Sequence, residues 1–286
     1  MNSPDPNAPT PQPPHPPLAF VGGGNMASAI IGGLRRGGWP AAAVLVVEPV
    51  AEARARLATE YGVRALEAPA PALGAAALVV WAVKPQQFRD AALAARPHLS
   101  AAALHLSVAA GIRSSDIVRW TGGAGVVRAM PNTPALVGRG ITALLAAPAV
   151  DAAGRALVER VLAPTGALEW VQQEAQLDAV TALSGSGPAY VFYLLEAMQR
   201  AGVQLGLPAA QALRLAVATV DGAAALAAQS GEPPALLRER VTSRGGTTAA
   251  ALAVLQQAQM ADRVVEAISA AARRAAELGD EYGRDG

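Results

Sequence analysis

The apolar run Leu18-Ala19-Phe20-Val21 leads directly into Gly22-Gly23-Gly24-Asn25-Met26-Ala27, and this junction carries the clearest chemistry in the chain. The spacing is G-x-G-x-x-A, the pattern of a dinucleotide-binding turn. Gly22 permits a tight turn. Gly24 lacks a Cβ, so a pyrophosphate can approach the backbone, and Ala27 lets the next helix pack close to the strand. That helix, opening at Asn25 and Met26, offers backbone N–H groups and partial positive charge to phosphates. A lone glycine pattern means little, but here it follows a strand and opens a helix, the context that gives it meaning.

A dinucleotide fold of this kind expects an acidic residue about 20 positions further on, closing the second strand. Glu48 stands there, at the end of VLVVE. Its carboxylate would accept hydrogen bonds from ribose hydroxyls and repel a 2′-phosphate, which favours NADH. Arg54 and Arg56, on the next helix, argue the other way, because they could reach a 2′-phosphate. The cofactor is therefore NADPH or NADH.

Ligands of doubly wound sheets bind beyond the carboxyl ends of the strands, so the residue after each strand matters. Leu78–Val83 ends in Lys84-Pro85-Gln86, Ala103–Val108 in Ala109-Ala110-Gly111, and Gly125–Met130 in Pro131-Asn132-Thr133-Pro134. Together these turns would wall the nicotinamide and its ribose. Lys84 is either a proton donor or a positioning charge. Asn132 is either a ligand contact or the first residue of an Asx turn.

Two further loops combine hydroxyls with glycines and open helices: Ser184-Gly185-Ser186-Gly187-Pro188, and Thr242-Ser243-Arg244-Gly245-Gly246-Thr247-Thr248. Free N–H groups at a helix start suit a carboxylate. Plain capping by Ser or Thr is the alternative. Between Leu106 and Gly286 there is no histidine, lysine or cysteine. That argues against alcohol oxidation, which needs a base for the hydroxyl proton. It suits reduction of a C=N bond that arrives protonated, where the task is to orient donor and acceptor.

These residues need a scaffold, and the chain is long enough for two domains, with 286 residues of which 52% are hydrophobic. The first half alternates strands (Leu18–Val21, Val44–Glu48, Leu78–Val83, Ala103–Val108, Gly125–Met130, Ile141–Leu145, Ala167–Val171) with helices, which predicts a parallel sheet. From Leu177 onward only helices are predicted: Pro188–Leu205, Pro208–Gln229, Pro233–Val241 and Thr248–Leu278. The fold class is an α/β Rossmann-type N-terminal domain plus an all-α C-terminal domain, with boundaries at 1–17, 18–172 and 173–286. Alanine-rich helices bury little apolar area per residue, so the helical half is expected to pair with a second copy.

The rest of the composition mostly excludes. There are no cysteines and three scattered histidines, so no thiol chemistry and no metal cluster is expected. A net charge of +1 gives no reason to expect nucleic acid. Residues 1–17 carry eight prolines and are expected to be disordered. No uninterrupted apolar run reaches a membrane span of about 18 residues; Ala209–Ala228 comes nearest but contains Gln211, Arg214 and Asp221. A cytoplasmic protein is expected. Lys84 is the one lysine among 23 basic residues.

Six segments together resemble the pyrroline-5-carboxylate reductase family: VGGGNMASAIIGGL (21–34), AVKPQ (82–86), SVAAGI (107–112), RAMPNTPALVGRG (128–140), DAVTALSGSGPAYVF (178–192) and VTSRGGTT (241–248). The resemblance covers nearly the whole chain after the proline-rich tail. It implies NAD(P)H-dependent reduction of L-1-pyrroline-5-carboxylate to L-proline, the last step of proline synthesis. It also implies a helical domain that interlocks with a partner's in a homodimer, in some members within larger rings. Residue by residue, it places Val83, Lys84 and Pro85 beside the nicotinamide ribose and the SVAAGI turn against the nicotinamide. Gly246 and Thr247 would offer N–H groups to the substrate carboxylate, with Ser184, Ser243 and Gly245 shaping the pocket. The Thr248 hydroxyl would meet the ring nitrogen as the catalytic contact. Arg244 departs from the family, which usually has proline there.

Two other readings fare worse. β-Hydroxyacid dehydrogenases share the layout but use a lysine in the helical domain, which this chain lacks. A non-catalytic dinucleotide sensor has no need of two hydroxyl-rich loops.

Overall fold

The computed structural model describes residues 15–284. The reading of residues 1–17 as disordered falls mostly outside them. Contacts divide the chain into two compact units, one running through Asp178 and regaining the chain from Ala276, the other spanning Ala179–Ala275.

The first unit is built on an eight-stranded sheet in the order β3-β2-β1-β4-β5-β6-β7-β8. The strands are β1 Leu18–Val21, β2 Val44–Val47, β3 Arg64–Leu66, β4 Leu78–Trp81, β5 Leu104–Ser107, β6 Val126–Met130, β7 Gly140–Ala146 and β8 Gly166–Trp170. Helices α1 Asn25–Arg36, α2 Ala51–Tyr61, α3 Pro85–Ala95, α4 Ser114–Thr121 and α5 Ala152–Leu162 connect them, and α6 Glu174–Val180 follows β8. Both faces of the sheet are covered. One core gathers Phe20, Ile30, Ile31, Val46, Val80 and Leu144, the other Val21, Val79, Trp81, Phe88, Ile117 and Trp120. This explains why β1 and β4 read as unbroken apolar runs: every residue of each is buried.

Two features depart from the sequence reading. The sheet is not wholly parallel, because β7 runs antiparallel to β6. Only residues 131–139 separate the two strands, too few for a crossover, so the chain must turn back. Strand β3 was missed: it is three residues long, lies at the sheet edge and has no fully buried position. Glu174 and Asp178 of α6 pair with Arg128 and Arg113 of the first unit, so the start of α6 belongs there.

The second unit is helical, as expected. It holds a wide π turn at Thr181–Gly185, then α7 Gly187–Gln204, α8 Ala209–Ser230, α9 Pro234–Arg240 and α10 Thr247–Gln257. The single helix expected over Thr248–Leu278 is in fact two, α10 and α11 (Met260–Arg284). Gln259 breaks it at φ 52°, with no glycine or proline to signal the break. Helices α7 and α8 pack on each other where Gly202 meets Ala212: a Cβ on Gly202 would lie 2.7 Å from the Ala212 Cβ. Yet α7 has no buried residue and α8 only two, Ala212 and Ala216. Helix α8 meets the length and composition of a membrane span, with 11% of that stretch buried.

Candidate active site

The glycine turn lies where β1 separates β2 from β4, the point at which the strand order reverses direction. Gly22 donates its N–H to Val47 of β2 at 2.8 Å, and Ala82 donates to Val21 at 2.8 Å, so both neighbours pin the turn. Gly22 sits at φ +98°, and a Cβ on it would lie 2.6 Å from the Ala82 carbonyl oxygen. No other residue fits. Gly24 is the opposite case: apart from its own chain neighbours, none of the described residues has an atom within 4 Å of where its Cβ would point. The space in front of it is therefore open to a ligand. Gly24 and Asn25 are exposed, Met26 is half-buried, and Ala27 is fully buried against the sheet. No side chain caps α1, so its first N–H groups are left for an anion.

The Glu48 carboxylate is held from two sides. Oε2 accepts the Gly23 N–H at 2.8 Å and Oε1 accepts the Val50 N–H at 2.9 Å. The two arginines that could meet a 2′-phosphate are turned onto protein acceptors. Arg54 donates to the carbonyls of Glu48 (2.9 Å) and Pro49 (2.7 Å) and pairs with Glu67 at 3.3 Å. Arg56 donates to Ser28 Oγ at 3.1 Å and to the Gly23 carbonyl at 3.2 Å, with Glu60 at 3.9 Å.

A cleft of about 550 Å³ opens at the carboxyl ends of these strands, lined by Gly22–Gly24, Glu48, Val50, Val83, Lys84, Gln86 and Gln87 among others. Its size and its polar and apolar lining suit a dinucleotide. Val50 and Gln87 were not singled out from the sequence, and Gln86 was named only as the last residue of the Lys84-Pro85-Gln86 turn. They follow strand ends by only a few residues, and that position was the available signal. Lys84 lines the cleft and stands at the N-cap of α3. Pro85, expected beside Lys84, lines a neighbouring cavity instead.

The other two turns lie outside the lining of this cleft. Ala109 is buried and Ala110 and Gly111 are half-buried, with Gly111 at φ +76°. Asn132 accepts the Ile141 N–H on Oδ1 at 3.0 Å, so its side chain ties the start of the β6–β7 connection to β7. A partly buried ion-pair cluster follows these turns in the first unit. Arg128, the first residue of RAMPNTP, pairs with Glu174, which also accepts the Ser114 N–H at 3.0 Å. Burial pushes the Glu174 carboxyl up, but Arg128 and the Ser114 N–H outweigh it and leave the group below its ordinary value. Arg113 pairs with Asp178 at 2.9 Å.

In the helical unit, neither hydroxyl-rich loop acts as a cap. No side chain caps α7 or α10. Ser184 Oγ donates to the Val180 carbonyl at 3.2 Å, and Thr242 Oγ1 to that of Arg238 at 2.6 Å. Ser243 and Gly246 close a tight turn, with Gly246 N–H to Ser243 O at 3.0 Å and Gly245 at φ +73°. Thr247 and Arg244 are exposed and Thr248 is half-buried. Among the described residues the Thr248 side chain has no hydrogen-bond partner. The opening of α10 thus presents N–H groups and an unused hydroxyl side by side.

Comparisons with known proteins agree with this layout. Residues 174–278 match the family described as pyrroline-5-carboxylate reductase dimerisation, and residues 17–111 match one described as NADP oxidoreductase, coenzyme F420-dependent. A pyrroline-5-carboxylate reductase from Pseudomonas aeruginosa is 44% identical over 94% of this chain and 99% of its own length. One from Pisum sativum is 37% identical over 91% and 95%. A solved pyrroline-5-carboxylate reductase from Coxiella burnetii, 36% identical, superposes with a TM-score of 0.86 over 93% of this chain and 99% of that one. The Plasmodium falciparum structure, 26% identical, was solved with NADP bound and superposes with a TM-score of 0.82 over 92% and 98%. The glycine turn at a reversal of strand order, the uncapped hydroxyl loops and this identity along nearly the full length have one explanation: the chain belongs to the pyrroline-5-carboxylate reductase family.

Proposed function

We propose that this protein catalyses the NAD(P)H-dependent reduction of L-1-pyrroline-5-carboxylate to L-proline, the final step of proline biosynthesis. One observation carries the reading at the level of residues. The opening of α10, from Gly246 to Thr248, has no side-chain cap, and among the described residues the Thr248 hydroxyl has no hydrogen-bond partner. The backbone N–H of Thr247, joined by that of Gly246 when it turns away from the Ser243 carbonyl, holds the substrate carboxylate there, favoured by the helix dipole. Thr248 accepts the hydrogen bond of the protonated ring nitrogen. Ser184, Ser243 and Gly245 shape the pocket.

The cofactor fits the residues present: Gly22 makes the turn, Gly24 leaves room for a pyrophosphate, and Asn25, Met26 and Ala27 open α1 toward it. Glu48 faces the adenosine ribose, and Val83 and Lys84 face the nicotinamide ribose. Lys84 acts by position and charge. Pro85, Ala109, Ala110, Gly111 and Asn132 shape the nicotinamide end from behind. When bound, the reduced nicotinamide supplies a hydride, and the pocket directs it to C5 of the ring. The ring nitrogen arrives protonated, so the chain needs no general base, in keeping with a helical unit without histidine or lysine.

The exposed apolar side chains of the helical unit, Phe192, Tyr193, Leu226 and Val254, together with α8, support a homodimer through these helices, within larger rings in some assemblies. A protein with this metabolic role works in the cytoplasm. Incubation with NADH or NADPH and pyrroline-5-carboxylate should consume the reduced cofactor and release proline. Absence of turnover with both cofactors rejects the activity.

A further inference from the structure

We propose that Tyr282, near the end of the last helix, is a positioning residue for the nicotinamide end of the cofactor site, acting through Gln86 and Gly111. The inference rests on the dinucleotide site described above but not on the identity of the imine.

The end of α11 is bound to the first unit by several contacts. Gln86 Nε2 donates to Tyr282 Oη at 3.0 Å. The ring of the same tyrosine covers the turn after β5: a Cβ on Gly111 would lie 3.1 Å from Tyr282 Cδ2. One side chain thus touches the turns that follow both β4 and β5. Neighbouring contacts fix where it stands. Gly279 passes so close to Arg113 that a Cβ there would lie 2.7 Å from the guanidinium. Arg119 donates to the Gly283 carbonyl at 3.2 Å, and Arg113 lies 3.9 Å from Asp280.

Gln86 is the element through which this reaches the cofactor. It lines the 550 Å³ cleft next to Lys84. It also lines a smaller cavity of about 290 Å³ on its other side, together with Pro85, Arg89, Asp90, Trp120 and Tyr282. Gln86 is therefore part of the wall between the two spaces, and Tyr282 holds it from behind. An exposed glutamine without a partner would sample several rotamers, and its ordering would oppose ligand binding. Held by Tyr282, that cost is met before the cofactor arrives. The adenosine half of the cleft, at Glu48 and Val50, has no contact with this tyrosine among the described hydrogen bonds and ring contacts.

The position yields a selective test. Dissociation constants of NADH and of ADP-ribose, which lacks the nicotinamide, are measured for the full chain and for Tyr282→Phe and Tyr282→Ala, alongside thermal unfolding. Tyr282→Phe keeps the ring over Gly111 and removes only the acceptor for Gln86. It should raise the NADH constant about threefold, and Tyr282→Ala about tenfold, the size of one or two modest interactions. ADP-ribose should stay within twofold for both. Steady-state KM for NADH should follow the binding constant. Equal weakening of both ligands marks a merely structural role and overturns the proposal, as does an unchanged NADH constant in Tyr282→Phe. The phenylalanine variant decides alone if the alanine variant fails to fold. A wild-type chain that binds NADH without reducing the imine rejects the proposed reaction and leaves this test standing.

Discussion

The carboxylate of Glu48 and the amide of Gly23 are joined by a 2.8 Å hydrogen bond that ties the end of β2 to the middle of the glycine turn. A second bond, from Val50 N–H to the other oxygen at 2.9 Å, fixes the carboxylate plane. Glu48 is thereby both a staple of the turn and a fixed negative charge on the cleft wall.

That charge bears on cofactor choice. Arg54 and Arg56 are already engaged by protein acceptors, so neither is free to neutralise a 2′-phosphate beside Glu48. NADH should show the higher kcat/KM. Glu48→Gln keeps one acceptor and removes the charge. It should raise kcat/KM for NADPH relative to NADH by about tenfold, the effect of roughly 1.4 kcal/mol of like-charge repulsion. Kinetics with both cofactors on both proteins check this.

The two glycines at Gly22 and Gly24 should fail in different ways. Gly22→Ala forces a Cβ to 2.6 Å from the Ala82 carbonyl at a positive φ, so it should lower the unfolding midpoint as well as activity. Gly24→Ala meets no atom of the other described residues within 4 Å, its chain neighbours aside. Its unfolding midpoint should match the wild type, while the cofactor dissociation constant rises more than tenfold because the methyl group occupies the pyrophosphate space. Calorimetry and cofactor titration on the same preparations separate the two.

His105 predicts an acid limit to stability. It is buried in β5, accepts the Trp81 indole N–H on Nδ1 at 3.2 Å, and burial pushes it down from 6.5 to about 4. The unfolded chain therefore binds the proton first. The histidine's contribution is complete above pH 6.5 and is lost as pH falls toward 4. Over that window it amounts to about 3 kcal/mol by linkage. Glu174, held below its ordinary value by Arg128 and Ser114 despite burial, adds a loss only at lower pH. Urea unfolding at pH 7.5 and pH 4.5 should show the drop, and His105→Gln, which keeps an acceptor for Trp81, should remove most of it.

Much of this was legible in the sequence because it rests on local signals. The turn at Gly22 follows from glycine stereochemistry beside an apolar strand, and β4 follows from a run buried on both faces. What escaped depends on residues far apart. The Arg128–Glu174 pair spans 46 positions, and the Gln86–Tyr282 bond spans 196. No spacing rule relates such residues. The break at Gln259 was hidden because a glutamine stands in the left-handed region where glycine or asparagine would normally mark it. Asn132 was legible only as two alternatives, a ligand contact or an Asx turn, and the bond it makes to Ile141, nine residues on, is neither of them. The hydroxyl loops were legible as candidates. That they are not caps required the geometry of Ser184 and Thr242, whose hydroxyls bond backward to carbonyls four residues earlier.

Thr248 carries the sharpest test of the chemistry. Its hydroxyl has no partner among the described residues, so removing it leaves no protein group unsatisfied and the fold should be unaffected. Thr248→Val keeps the shape and loses one hydrogen bond to a charged nitrogen, worth about 1.5–3 kcal/mol, so kcat/KM should fall by about one to two powers of ten. Thr248→Ser restores the hydroxyl and should recover most of the activity. The loss should appear in kcat as well as in KM, because the bond orients the ring for hydride transfer as well as binding it. An unchanged kcat/KM in Thr248→Val would remove this residue from the mechanism and leave the backbone N–H groups at the opening of α10 as the substrate contact.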